Sequence, residues 1–120
     1  KEYETEDADL LLVAFGTVGR ICQSVVRDAR DMGLKVGLLR PTTLWPFAEN
    51  RIAELAEQVQ GILVVEMNAG QMVQDVRLAV EGRCPVAFYG RMGGIIPLAD
   101  EILPELEKLA GEVSGREEAD

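Results

Sequence analysis

Residues 61–76 read GILVVEMNAGQMVQDV, and this stretch contains the transition that decides the fold. Its first part, residues 61–67, is a continuous apolar run interrupted only by Glu66. Continuous rather than alternating apolarity is typical of a strand that is buried on both faces of a parallel sheet. The apolar residues that follow Gly70 are spaced three and four apart, as on one face of a helix. The stretch therefore predicts a buried strand that leads directly into a helix.

The same transition occurs four times along the chain. Apolar runs bounded by glycine, proline or charge predict strands at residues 9–15, 35–40, 61–67 and 84–89. A helical pattern follows each run. The predicted buried positions of the four helices are Val18, Ile21, Cys22, Val25, Val26, Ala29 and Met32; Ile52, Leu55, Ala56 and Val59; Met72, Val73, Val76, Ala79 and Val80; and Ile102, Leu103, Leu106 and Leu109.

Four strand–helix units predict a three-layer α/β/α domain with a mostly parallel sheet. Because crossovers between parallel strands are right-handed, the simplest doubly wound solution has the strand order 2-1-3-4. The residues before Asp9 add a short edge strand in this interpretation. Gly33 is expected to end the first helix. Pro104 is expected in the first turn of the fourth helix, or at a bend, because proline lacks an amide hydrogen.

Length and charge limit the domain organisation and the partners. A chain of 120 residues with 48% hydrophobic content predicts one domain, residues 1–120. The net charge is −9, of which −4 falls in residues 1–9 and −3 in residues 112–120. We therefore expect solvated, frayed acidic tails at about 1–8 and 112–120, and neither nucleic acid nor an anionic membrane as partner. No apolar run reaches membrane length, so a soluble cytoplasmic protein is expected, and the initial lysine suggests a fragment of a longer chain.

Cysteine and histidine usage argues against chemistry performed by this domain alone. The chain has no histidine and two cysteines, Cys22 and Cys84, both at apolar positions. Buried free thiols are favoured over a disulfide or a reactive pair. Without a Cys-x-x-Cys motif, a zinc or iron–sulfur site is not expected. The sequence therefore predicts no catalytic and no metal-binding residues.

Polar and glycine residues collect where the predicted strands end, which is where open α/β sheets bind ligands. The loop GTVGR at residues 16–20 suits either an anion at a helix start or a tight turn. Asn68 and Gln71 have the spacing of a capping box. Glu66 interrupts an apolar strand, so it needs a partner, with Arg91 and Arg20 as candidates, or an interface. The ligand or interface candidates are Gly16, Thr17, Gly19, Arg40, Glu66, Asn68, Gln71 and Arg91.

Three segments together carry a resemblance to a known family. LLRPTTLWPF at residues 38–47, VVEMNAGQMVQDVRLAV at residues 64–80 and FYGRMGG at residues 88–94 resemble the C-terminal part of the α subunit of 2-oxoacid:ferredoxin oxidoreductases, of the 2-oxoglutarate and branched-chain type. The resemblance covers about residues 8–110. It implies a transketolase C-terminal-like fold with an additional antiparallel edge strand near residues 1–6.

The resemblance also implies a role inside a larger enzyme. The family decarboxylates a 2-oxoacid on thiamine diphosphate, passes electrons through iron–sulfur clusters to ferredoxin and transfers the acyl group to coenzyme A. Its thiamine diphosphate, Mg and clusters are held by other domains or subunits. This segment is then a non-catalytic assembly domain that contacts other domains of its chain and the β subunit. The alternatives are a small-ligand or anion-binding regulatory module for coenzyme A or nucleotides, and an autonomous α/β protein.

Overall fold

The strands form one sheet whose centre is buried on both faces. A computed structural model describes residues 2–14, 16–40, 49–66, 71–90 and 99–119. Within these residues the strands are β1 (Glu2–Tyr3), β2 (Leu10–Ala14), β3 (Val36–Leu39), β4 (Gly61–Glu66) and β5 (Val86–Gly90). The helices are α1 (Gly16–Asp31), α2 (Glu49–Gln58), α3 (Gln71–Val80) and α4 (Ala99–Ala119).

The sheet has the order β1-β3-β2-β4-β5. The pairs β3–β2, β2–β4 and β4–β5 are parallel, while β1 pairs antiparallel with β3 through Glu2 opposite Leu39. The four parallel strands thus follow each other in the order expected from the right-handed crossovers. The complete sheet differs from the four-strand prediction by the edge strand β1, which confirms the additional antiparallel strand that the family resemblance implied.

The sheet separates two apolar cores. Side chains of β2 alternate between them, because successive residues of a strand point to opposite faces. Leu10, Leu12 and Ala14 belong to the core that contains α1 and α4. Leu11 and Val13 belong to the core that contains α2 and α3. The three-layer α/β/α architecture predicted from the sequence is confirmed.

Most of the predicted helix positions are buried, Ile21 and Leu103 are half-buried, and the side chain of Met72 lies outside the described residues. A clear difference occurs at the end of α1. This helix ends at Asp31, so Met32 lies beyond it and is 53% exposed. Gly33 has φ of 90°, and the amides of Gly33 and Leu34 donate to the carbonyls of Arg30 and Ala29. This is the Schellman arrangement, which requires a left-handed residue and therefore favours glycine after the helix.

The helix α4 continues into the C-terminal residues. The helix runs from Ala99 to Ala119, and Val113 is buried against the α1 side of the core. Pro104 is the sixth residue of α4 in the described residues, so it lies in the second turn and not in the first. The acidic tail expected at about 112–120 stays a prediction.

The N-terminal acidic segment is also held in place. The Arg30 guanidinium donates to the Glu4 carbonyl at 2.9 Å and to the Asp7 carboxylate at 2.8 Å. Arg51 donates to the Glu2 carboxylate at 2.7 Å. The amide of the Gln58 side chain donates to the Thr5 carbonyl at 2.8 Å. Side chains of α1 and α2 thus contact the acidic N-terminal segment, while the expectation of a frayed tail stays a prediction.

Among the described residues, none of the helices is long and apolar enough to cross a bilayer.

Candidate functional site at the carboxyl edge of the sheet

The ends of the parallel strands lie together along one edge, as predicted. The register places Val13 beside Leu39, Ala14 beside Val65, and Glu66 beside Gly90. Among the candidate residues, Asn68 and Arg91 lie outside the described residues. For Gly16, Thr17 and Gln71 the structure describes the backbone, which forms the first turn of α1 and the first residue of α3. Gly19, Arg40 and Glu66 are described in full.

Arg40 and Gly19 meet at the first turn of α1. A methyl group added at Gly19 would lie 2.5 Å from both Cδ and Nε of Arg40. Real Cβ atoms do not approach other atoms this closely, so the arginine side chain crosses the helix at Gly19 and would have to shift to admit a larger residue. The structure thus brings together two predicted site residues from α1 and the end of β3. It also adds a cationic side chain to a helix N-terminus, whose dipole is already positive.

Glu66 caps α3 from the end of β4. Its Oε2 accepts a hydrogen bond from the backbone amide of Val73 at 3.1 Å, and the residue is 8% exposed. Val73 lies in the first turn of α3, where amides have no partner inside the helix. A carboxylate at this position satisfies such an amide and interacts favourably with the helix dipole.

One partner of Glu66 is therefore a backbone amide. Arg91 lies outside the described residues, and no ion pair among the described side chains joins Glu66 to Arg20. The demand for a partner was correctly inferred from burial. The sequence signal for this partner was the position of Glu66 shortly before a helical pattern. The unpaired amides at the start of a helix favour a carboxylate there.

Tyr89 and Glu101 form a contact that the sequence interpretation missed. The Tyr89 hydroxyl donates a hydrogen bond of 2.6 Å to the carboxylate of Glu101. Tyr89 is the penultimate residue of β5, and Glu101 lies in the first turn of α4. An acid in the first turn of a helix, with a tyrosine at the end of the preceding strand, was the signal in the sequence. The contact ties the start of α4 to the sheet edge.

The two cysteines do not form a shared ligand set. Cys22 is buried in the α1 and α4 core, whereas Cys84 packs against the α2 and α3 core. Burial raises the pKa of the Cys22 thiol to about 12 and also raises the pKa of Cys84. Within the described part of the chain, no group of three or more potential metal ligands is gathered. These residues do not fit an iron–sulfur cluster or a metal ion, so no chemical step is assigned to them.

The sheet order, the antiparallel edge strand and the helix starts gathered at one edge define a transketolase C-terminal-like α/β domain. A solved 2-oxoglutarate:ferredoxin oxidoreductase from Magnetococcus marinus shares the fold with a TM-score of 0.75 and 20% identity, over 86% of this chain and 18% of that one. A split-gene transketolase matches with a TM-score of 0.77 and 14% identity, over 91% of this chain and 42% of that one. At these identities the likeness concerns the fold alone.

The chain belongs to the pyruvate:ferredoxin oxidoreductase core domain II family, whose model matches residues 8–102. Ketoisovalerate oxidoreductase subunit VorB of Methanothermobacter marburgensis is 46% identical over 112 residues, which are 93% of this chain and 32% of the relative. 2-Oxoglutarate synthase subunit KorA of the same organism is 38% identical over 102 residues, 85% of this chain and 27% of the relative. The resemblance found in the sequence is confirmed, and the chain spans about a third of the length of these relatives.

Proposed function

We propose that this chain is a non-catalytic assembly domain in the α subunit of a thiamine diphosphate-dependent 2-oxoacid:ferredoxin oxidoreductase. The complete enzyme would convert a 2-oxoacid, coenzyme A and oxidised ferredoxin to acyl-coenzyme A, carbon dioxide and reduced ferredoxin. The observation that carries the proposal is the 46% identity to a ketoisovalerate oxidoreductase subunit across 93% of this chain.

The contacts at the carboxyl edge support an assembly role. Glu66 is bound to the amide of Val73, and Tyr89 is bound to Glu101. Arg40 lies against the backbone at Gly19. Glu66 and Tyr89 each fix the start of a helix, which is a structural task. In the proposal, other domains or the β subunit hold thiamine diphosphate, Mg and the iron–sulfur clusters. This domain contacts those domains and orients them.

Turnover of the full-length subunit tests the activity. We would express it with its partner subunits and measure ferredoxin reduction with ketoisovalerate, 2-oxoglutarate and pyruvate. These compounds appear in the names of the relatives and of the family. We expect coenzyme A-dependent reduction with at least one of them. A correctly assembled complex that reduces ferredoxin with none of the three would overturn the proposal.

A second measurement tests the assignment of this domain as non-catalytic. Glu66→Gln, Arg40→Gln and Tyr89→Phe should leave kcat of the assembled enzyme within about threefold of the wild type, because removal of a catalytic acid or base costs about 10²- to 10⁴-fold. A loss of 100-fold in an intact complex would instead assign the altered residue to the reaction.

A second candidate function is favoured by the position of Arg40. Its cationic side chain crosses the first turn of α1, so a guanidinium and a helix N-terminus converge. This arrangement suits an anionic group such as a phosphate of coenzyme A or of a nucleotide. Calorimetric titration with coenzyme A would give saturable heat that Arg40→Gln abolishes and the exposed α1 variant Arg27→Gln retains. Absence of saturable heat at millimolar ligand would exclude this candidate.

A further inference from the structure

The two edges of the sheet are protected to very different degrees. At one edge, β1 has two residues, and Glu2 on it is paired with Arg51. Short, charged edge strands prevent unwanted pairing with other chains. At the other edge, β5 has five residues, Val86–Gly90, without a charge, and all of them are only half-buried. Such an edge is a surface on which another strand can pair.

The hydrogen-bond register shows which backbone groups of β5 face outward. The amide of Ile62 donates to the carbonyl of Pro85 at 2.9 Å, and Ile62 is the register partner of Val86. Since successive residues of a strand point their backbone groups to opposite sides, Val86, Phe88 and Gly90 direct theirs away from β4. The Val86 carbonyl meets Arg77 Nη2 at 3.5 Å. The amide and carbonyl of Phe88 find no partner among the described residues.

A small cavity lies beside these outward groups. It has a volume of about 110 Å³ and lies between β5 and α4. Its lining residues are Leu63, Ala87, Phe88, Glu105, Lys108, Leu109 and Glu112. The floor is apolar, and two carboxylates and one ammonium group stand around the opening. A volume of this size accommodates one side chain.

We propose that β5 is a docking strand for an extended segment from another part of the oxidoreductase, which pairs with Phe88 and inserts a lysine or arginine into the cavity beside it. Backbone pairing supplies affinity in such strand additions, and a pocket for one side chain supplies specificity. The methylene stem of a basic side chain suits the floor at Ala87 and Leu109, while its charge suits Glu105 and Glu112. This inference rests on the proposed function as an assembly domain. It names β5 as the surface through which the domain contacts the rest of the enzyme.

Charge disfavours a second copy of this chain as the occupant. Two β5 strands related by a two-fold axis would pair antiparallel in one continuous sheet, with each α4 beside the other. The carboxylates of Glu105 and Glu112 from both copies would then face each other. Like charges brought together across an interface cost free energy, so a segment with a basic residue is the better partner.

Hydrogen exchange on the assembled oxidoreductase tests the pairing. In the peptide that covers residues 86–90, the outward amide hydrogens of Phe88 and Gly90 should exchange slowly with deuterium. The amides bonded to β4 should also exchange slowly. If the outward amides exchange at the rate of an open strand edge, the inference is overturned. Turnover is measured on the same preparation, so an active complex with unprotected outward amides rejects the docking strand and leaves the proposed function standing.

Two variants of α4 test the chemistry of the inserted side chain. Glu105→Gln combined with Glu112→Gln removes both carboxylates at the cavity, and exchange at residues 86–90 should become about tenfold faster because a charged hydrogen bond is lost. Glu107→Gln is the matched control, since Glu107 is exposed on the same helix and does not line the cavity. Equal exchange in the double variant and the control would overturn the insertion of a basic residue.

Discussion

The carboxylate of Glu66 at the end of β4 binds the backbone amide of Val73 in the first turn of α3, at 3.1 Å. This hydrogen bond links a strand to the helix that follows it across the intervening residues. It also gives a buried charge the partner that burial requires. The hydrogen bond to α3 thus explains why a glutamate interrupts the apolar strand. Its contribution to the free energy of unfolding can be measured.

Glu66→Ala should lower the free energy of unfolding of the chain by about 1–3 kcal/mol, because it leaves a first-turn amide without an acceptor. Glu66→Gln keeps an oxygen and loses the charge, so about half of that effect is expected. Urea unfolding followed by circular dichroism measures both. Glu107→Gln serves as a control with no expected effect, and an Ala variant as stable as the wild type would remove the capping role.

Gly19→Ala should destabilise the chain by about 1–3 kcal/mol, because its methyl group would collide with Arg40. Alanine is otherwise better than glycine in a helix by about 1 kcal/mol. The same substitution in an Arg40→Ala background should therefore be neutral or stabilising. Gly111→Ala is the control, since no atom lies within 4 Å of an added methyl group there. Destabilisation by Gly19→Ala that persists without Arg40 would contradict the contact.

Acid should weaken the attachment of the N-terminal segment. Hydrogen bonding to Arg51 lowers the pKa of Glu2 from 4.5 to about 2. The folded pKa is lower than the unfolded pKa, so the stabilisation is complete above pH 4.5 and is lost as the pH falls towards 2. Because both side chains are partly exposed, the contribution is at most about 1 kcal/mol.

The comparison with Glu2→Gln isolates this effect from other carboxylates. The difference in unfolding free energy between the wild type and Glu2→Gln should shrink between pH 6 and pH 3. Hydrogen bonding to Arg30 lowers the pKa of Asp7 in the same direction. The difference in unfolding free energy between the wild type and Asp7→Asn should therefore also shrink as the pH falls. A difference that stays constant with pH would show that these ion pairs do not stabilise the fold.

Arg30→Gln should free the N-terminal segment from α1. This side chain donates to the carbonyls of Val36 and Glu4 and to the carboxylate of Asp7. Loss of the hydrogen bonds to these three groups, two of them backbone carbonyls, should cost about 1–3 kcal/mol. Limited proteolysis should then cut within residues 2–8 at lower protease concentration than in the wild type. Arg27→Gln, on the exposed face of the same helix, should leave cleavage unchanged.

The strands and helices were predictable because burial leaves a periodic record in the sequence. The run at residues 10–14 is continuous because β2 lies at the centre of the sheet and is buried on both faces. The helix stripes were predictable for the same reason. Met32 was misassigned because the apolar spacing continues one residue beyond the helix, and the stop at Gly33 depends on backbone conformation.

The contacts of the candidate site were less predictable than its position. The carboxyl edge follows from topology, which is encoded in the order of the elements. One partner of Glu66 is a backbone amide, which every residue except proline provides, so no residue type marks it. Arg40 and Gly19 come from different strand–helix units, and their contact depends on the three-dimensional packing. The same applies to the contacts between Arg30 and the acidic N-terminal segment, whose carboxylates are exposed as their composition indicates.

The two cysteines lie on opposite sides of the sheet, so labelling of their thiols can report separately on the detachment of each helix layer. Cys22 is fully buried and burial raises the pKa of its thiol to about 12, so a thiol reagent reaches it only when the α1 layer separates from the sheet. Cys84 is half-buried against the other layer. Rates of labelling at the two positions would therefore show whether the two layers detach together or one before the other.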